Sequence, residues 1–137
     1  MKVLSVQTNS IQDKDFKLHK PEGREHFLFV LFKTPTMLLT DNEYKPIKPE
    51  TGIFFDKHKI QSYYPCNSQT FNHDFLFFDL EDEKETISFD SIPKETIHNV
   101  LLPEEITSIL QEIENVYSKP SDFRTEMLSN LGTVFFI

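Results

Sequence analysis

Up to about residue 90 the apolar residues come in short bursts, rich in β-branched and aromatic side chains and separated by turn clusters. Those clusters are Lys20-Pro21-Glu22-Gly23, Thr40-Asp41-Asn42 and Lys48-Pro49-Glu50-Thr51-Gly52. The pattern predicts strands over 3–7, 26–33, 36–40, 43–47, 52–56, 60–64, 74–80 and 86–90. In 27–32 and 75–78 both alternating sets are apolar, Phe27/Phe29/Leu31 with Leu28/Val30/Phe32 and Phe75/Phe77 with Leu76/Phe78. Such strands must be covered on both faces. A small barrel meets that demand when one face fills the interior and the other lies beneath helices or a partner subunit.

The period changes at Pro103. Proline in the first turn, Glu104 and Glu105 beside it, and a stripe of Ile106, Ile109, Leu110, Ile113, Val116 and Tyr117 predict an amphipathic helix. A second helix is expected over 121–137, capped by Ser121 or Asp122, so that two antiparallel helices follow the barrel. The expected division is a barrel with an N-terminal arm over 1–100 and a helical segment over 101–137. Val134 to Ile137 are all apolar with no cap or charged last turn, the pattern expected where a chain has been cut before a further domain.

Composition narrows the function classes. With 137 residues and 38% hydrophobic content there is one core to fill, and 14 Phe against no Trp and 3 Gly make that core aromatic. Neither glycine-rich phosphate motif occurs. A formal charge of −8 opposes direct binding to a polyphosphate. Cys66 is the sole cysteine, so no internal disulfide forms. The longest apolar run, Phe27 to Phe32, is far short of the roughly 20 residues of a membrane span, and polar Gln7 to Ser10 interrupts any signal-peptide core. The expected location is the cytoplasm, without membrane contact.

Catalytic chemistry finds little support. His19, His26, His58, His73 and His98 include no pair at the spacing of two or four that sets two ligands on one face. No nucleophile elbow is present, and Cys66 has no catalytic signature around it. The acidic run Glu81, Asp82, Glu83 and Glu85 lacks the spacing of a calcium loop and reads as a solvated turn between two strands.

The stretch 24–80 reads as strand, hairpin, strand, with Glu43-Tyr44-Lys45-Pro46-Ile47-Lys48-Pro49-Glu50-Thr51-Gly52-Ile53-Phe54-Phe55 in its middle and Asn72-His73-Asp74-Phe75-Leu76-Phe77-Phe78-Asp79 near its end. It resembles the N-terminal cupin-like domain of AraC-family transcription regulators, and 103–137 resembles that family's dimerisation helices. The implied fold is mainly β: a cupin-like (jelly-roll) barrel followed by two antiparallel helices. The resemblance implies a small-molecule effector, a carbohydrate being the class it suggests, held inside the barrel and controlling a separate DNA-binding domain. His73 and Phe75 then match inward contacts on the last long strand, Tyr63 or Tyr64 an aromatic contact on the preceding one, and Lys20 falls near an expected arginine. Phe75 stands in place of a tryptophan. Gly52 and Asn67 fit the second cupin motif, but Tyr63 replaces its histidine and the first motif's paired histidines are missing, so no metal or other cofactor is expected.

From the residues themselves, Phe75 and Phe29 suit a pocket wall while His73 and Tyr63 offer hydrogen bonds. Phe123, Leu128, Leu131 and Phe135 spread beyond one narrow stripe, which marks the last helix for homodimer contacts. Two rival readings share the barrel: a metal-dependent cupin enzyme, and an interaction module whose interior is filled solid by phenylalanine.

Overall fold

Strands whose two alternating faces are both apolar have to be sandwiched, and the computed structural model, which describes residues 1–67 and 69–118, shows how. One antiparallel sheet has the order β1 (Lys2–Gln12), β8 (Phe71–Asp79), β3 (Phe27–Phe32), β6 (Thr51–Phe55), β9 (His98–Asn99). The second has the order β2 (Leu18–Lys20), β7 (Gln61–Pro65), β4 (Thr36–Thr40), β5 (Glu43–Ile47). The two sheets face each other in a cupin-like arrangement. Central β3 pairs β8 on one side and β6 on the other, with Val30 opposite both Phe75 and Ile53.

Alternation along β3 then builds two cores. Leu28, Val30 and Phe32 point between the sheets and meet Leu38, Ile47, Ile53, Phe55, Tyr63 and Phe71. Phe29 and Leu31 point the other way, onto Leu76, Phe78, Phe89, Leu110, Ile113 and Val116. Each fully buried Phe or Leu contributes about 1.5–3 kcal/mol, so neither face of the strand is expendable.

The outer core is roofed by α1 (Glu83–Asp90) and α2 (Pro103–Tyr117). In α2 the expected stripe faces inward: Leu110, Ile113 and Val116 are buried, with Ile106, Ile109 and Tyr117 packed beside them. The segment 86–90 is helical rather than a strand. Asp82, with extended backbone, accepts the Glu85 N–H at 2.8 Å and starts α1 as an N-cap. A strand would put Ile87 and Phe89 on one face. The helix separates them, leaving Ile87 64% exposed while Phe89 is buried against Phe27, Phe54 and Phe78. The acidic run is thus a helix start, with Glu85 buried beside the Met1 amino group.

Residues expected to form an arm are instead built into the sheets. β1 runs alongside β8 and buries Val3 and Ser10, and β2 pairs β7. The second predicted helix and its proposed dimer contacts Phe123, Leu128, Leu131 and Phe135 lie outside the described residues. Among the described residues no helix is long and apolar enough to cross a membrane.

Candidate effector-binding site

β8 lays one face into the space between the sheets, and its period of two puts Phe71, His73, Phe75 and Phe77 there in succession. Phe16, from the turn before β2, stacks on Phe71 at 4.9 Å between centroids, and the series continues from Phe71 to His73 at 4.4 Å, to Phe75 at 5.5 Å and to Phe77 at 5.6 Å. The result is an unbroken row of five rings. Phe71 is fully buried, whereas Phe16 at one end and Phe75 and Phe77 at the other are half-buried, so the row reaches the surface at both ends and is the more open at the Phe77 end, where two successive rings are half-buried.

His73 is the polar member of the row. Burial lowers its pKa to about 4, against the smaller opposing effects of the Ser10 carbonyl and the Asp74 charge. The ring is therefore neutral at pH 7, and because Nδ1 lies 3.2 Å from the Ser10 carbonyl, Nδ1 carries the hydrogen and donates it. Nε2 is left as an acceptor.

The open end is polar and cationic. Gln61 is fully buried; its Oε1 accepts a hydrogen bond from Arg24 Nε at 3.3 Å, while its Nε2 has no partner. Leaving a buried amide donor unmade costs about 1–3 kcal/mol, so an acceptor placed beside it would be held favourably. The Arg24 guanidinium also lies 4.8 Å from the Phe77 ring centroid. Burial pushes the Tyr63 phenol well above its ordinary range, opposed by the nearby Arg24 charge. Lys20, exposed, sits directly opposite Gln61 in the β2–β7 register and so on the same face.

Gly23 holds this end together. Its φ is +68°, and a Cβ there would come 2.3 Å from the Lys59 carbonyl oxygen. Only glycine lets the 20–24 turn lie against residues 58–59, where the Arg24 carbonyl accepts the His58 N–H at 2.9 Å.

Of the six residues expected at a ligand site, Tyr63, His73 and Phe75 come together, with Lys20 at the rim. Phe29 and Tyr64 do not join them. Phe29 faces the helices and packs on Phe54 at 4.7 Å. Tyr64 is on the outer face of its sheet, 5.3 Å from Tyr44 and 5.6 Å from the Lys17 ammonium, on the face where Ser62 Oγ meets His19 Nδ1 at 2.9 Å and the Tyr44 hydroxyl at 2.6 Å. Both corrections have one cause: neighbours in a strand alternate in direction, so Tyr63 and Tyr64 cannot share a cavity. The same parity was the available signal for two omitted residues, Gln61 two positions before Tyr63 and Phe77 two after Phe75. Arg24 had no such signal, because it arrives from a turn. Among the described residues no three His, Cys, Asp or Glu side chains gather where they could hold a metal ion.

No family model matches the chain, and no curated protein matches it. Solved structures show the class of fold, a cupin-like arrangement of two antiparallel sheets followed by helix. Among the similar structures are several of ToxT from Vibrio cholerae. The structure of wild-type ToxT from strain SCE256 with an unsaturated fatty acid bound is similar over 99% of this chain and 53% of its own, at TM-score 0.58 and 14% identity. That of ToxT from O395 bound to (E)-4-(8-methylnaphthalen-1-yl)but-3-enoic acid is similar over 96% of this chain and 55% of its own, at TM-score 0.57 and 14% identity. A further O395 ToxT structure gives TM-score 0.54 at 18% identity, over 97% and 57%. The chain spans about half the length of these ToxT structures.

Proposed function

We propose that this chain is the effector-sensing part of an AraC-type transcription regulator, acting by binding rather than catalysis, and that its effector is an apolar carboxylic acid. The observation that carries the reading is the unpartnered Gln61 Nε2 beside Arg24, at the open end of a row of rings. A carboxylate placed there accepts from the amide and from the guanidinium, with Lys20 adding charge at the rim, while its hydrocarbon tail lies along Phe77 and Phe75. The acids named for the ToxT structures, an unsaturated fatty acid and a naphthyl butenoic acid, have this composition. A carbohydrate suits the site less well, since each buried hydroxyl needs a partner and the walls are mostly phenyl.

A cytoplasmic setting and homodimer contacts through Phe123, Leu128, Leu131 and Phe135 belong to the same proposal, as does DNA binding through a separate domain. The net charge of −8 supports that division, because it would repel a phosphate backbone.

Thermal unfolding with oleic acid, methyl oleate and a panel of sugars tests the reading. Oleic acid at about 100 times its dissociation constant should stabilise the protein by roughly 2.7 kcal/mol. Methyl oleate, lacking the charge, should bind about tenfold more weakly. Stabilisation by sugars but not by oleic acid would overturn the carboxylate, and stoichiometric iron, manganese or zinc in the purified protein would favour a cupin enzyme instead.

A further inference from the structure

Consecutive residues of β8 face opposite ways, so His73 lines the interior while Asp74 points beneath α2. Both are tied to the same short segment of β1. Gln7 is opposite Phe75 and Ser10 opposite His73, so three steps along β1 match two along β8 and one residue is extra. Asn9, in this bulge, has φ +51°, a left-handed conformation that asparagine tolerates.

Each residue of the bulge is fastened to a different place. The Ser10 carbonyl accepts from His73 Nδ1 at 3.2 Å. The Asn9 N–H donates to Asp74 Oδ1 at 2.7 Å. The Thr8 N–H and hydroxyl donate to the Glu114 carboxylate of α2 at 3.1 and 3.3 Å. Asp74, fully buried, also receives Lys33 Nζ at 2.9 Å and the Thr107 hydroxyl of α2 at 2.7 Å. Tyr117 completes the attachment of α2, donating to the Leu4 carbonyl at 2.9 Å.

We propose that the 8–10 bulge of β1 transmits occupancy of the interior to α2, with His73 as its sensor and Glu114 and Thr107 as its attachments on the helix; this rests on the effector reading above. A guest beside His73 that shifts the imidazole shifts the Ser10 carbonyl, and the peptide units of Asn9 and Thr8 follow because they share its backbone. A bulge suits this role, since its extra residue stands outside the regular ladder and is held by side chains from both faces of β8 and from α2. His73 and Asp74 are here positioning residues, acting on the helix through β1.

Hydrogen exchange of α2 in the full chain is the test, first without any ligand. His73→Leu removes the donor to Ser10 and should speed exchange of the 105–117 amides by about tenfold. His73→Asn, which keeps a donor close to the position of Nδ1, should restore most of the protection, and Tyr64→Phe, on the outer face of the second sheet and away from His73, should leave α2 unchanged. In a Thr107→Val background the effect of His73→Leu should shrink to less than about twofold, because one attachment is already cut. A folded His73→Leu variant with unchanged α2 exchange, or an equal effect in the Thr107→Val background, overturns the relay. If His73→Leu does not fold, failure of His73→Asn to match wild-type α2 exchange overturns it instead. Oleic acid, as the ligand probe, separates the two ideas: stabilisation by it with no change in α2 refutes the relay alone, whereas the mutant series succeeding without any oleic acid binding refutes the effector reading alone.

Discussion

The two faces of the first sheet carry the same kind of side chain to different ends. Toward the helices, Phe29, Leu31, Leu76 and Phe78 close over Phe89, Leu110 and Ile113, and two buried carboxylates lie there, Asp74 with donors from Asn9, Lys33 and Thr107 and Glu85 beside the Met1 amino group. Toward the second sheet, an equally aromatic surface ends at half-buried Phe75 and Phe77 with an amide donor left unpaired. The helix side is roofed by α1 and α2, whereas the interior row reaches the surface. Aromatic content alone therefore says nothing about which surface receives a guest; what closes over each face does.

Breaking the sealed side should cost most. Phe78→Ala, in the sealed core, should lower stability by about 3–5 kcal/mol in urea unfolding. The comparison fails if the loss is no greater than that of Phe77→Ala at the open end.

Acid should act next, through the interior. His73 titrates near 4 in the folded protein and near 6.5 when unfolded, so between those values the unfolded state binds more protons and stability falls as pH falls. Above 6.5 the imidazole is neutral in both states and contributes no pH dependence. The loss on reaching pH 4 should be up to about 3 kcal/mol, and His73→Leu should flatten that part of the curve. A wild-type profile identical to the variant's across this window would show that the ring is not held neutral by burial.

Gln61→Leu sharpens the contrast further. Deleting the unpaired donor should change stability by no more than about 1 kcal/mol, since the lost Arg24 bond is offset by removal of the orphan. Affinity for oleic acid should nevertheless fall by about tenfold or more, measured by calorimetry. The smallest effect is expected at Tyr64→Phe: on the outer face of the second sheet, it should leave oleic acid affinity within about 0.5 kcal/mol of wild type. A larger loss there would mean that the guest binds on the outside.

Much of the architecture was legible from local pattern. The strands at 36–40 and 43–47 coincide with β4 and β5, and the stripe from Ile106 to Tyr117 faces the core as its spacing requires. Where reading failed, a local signal was outweighed by another present in the same residues. Ile87 and Phe89 suggested a strand, yet Asp82 three positions before Glu85 is a helix-start pattern. The short strands Leu18–Lys20 and His98–Asn99 escaped notice because their pairing comes from β7 and β6, not from their own composition.

The candidate site divides in the same way. Side-chain periodicity is a property of the chain itself, so that His73 and Phe75 share a face, and that Asp74 must oppose them, was settled by order along one strand. Which of the two apolar faces would be sealed by helices and which would meet the second sheet depended on how distant segments pack. So did the meeting of Arg24 with Gln61 and the fastening of residues 8–10 to both His73 and α2, because these contacts join positions that no repeat relates, and only the folded chain brings them within hydrogen-bonding range.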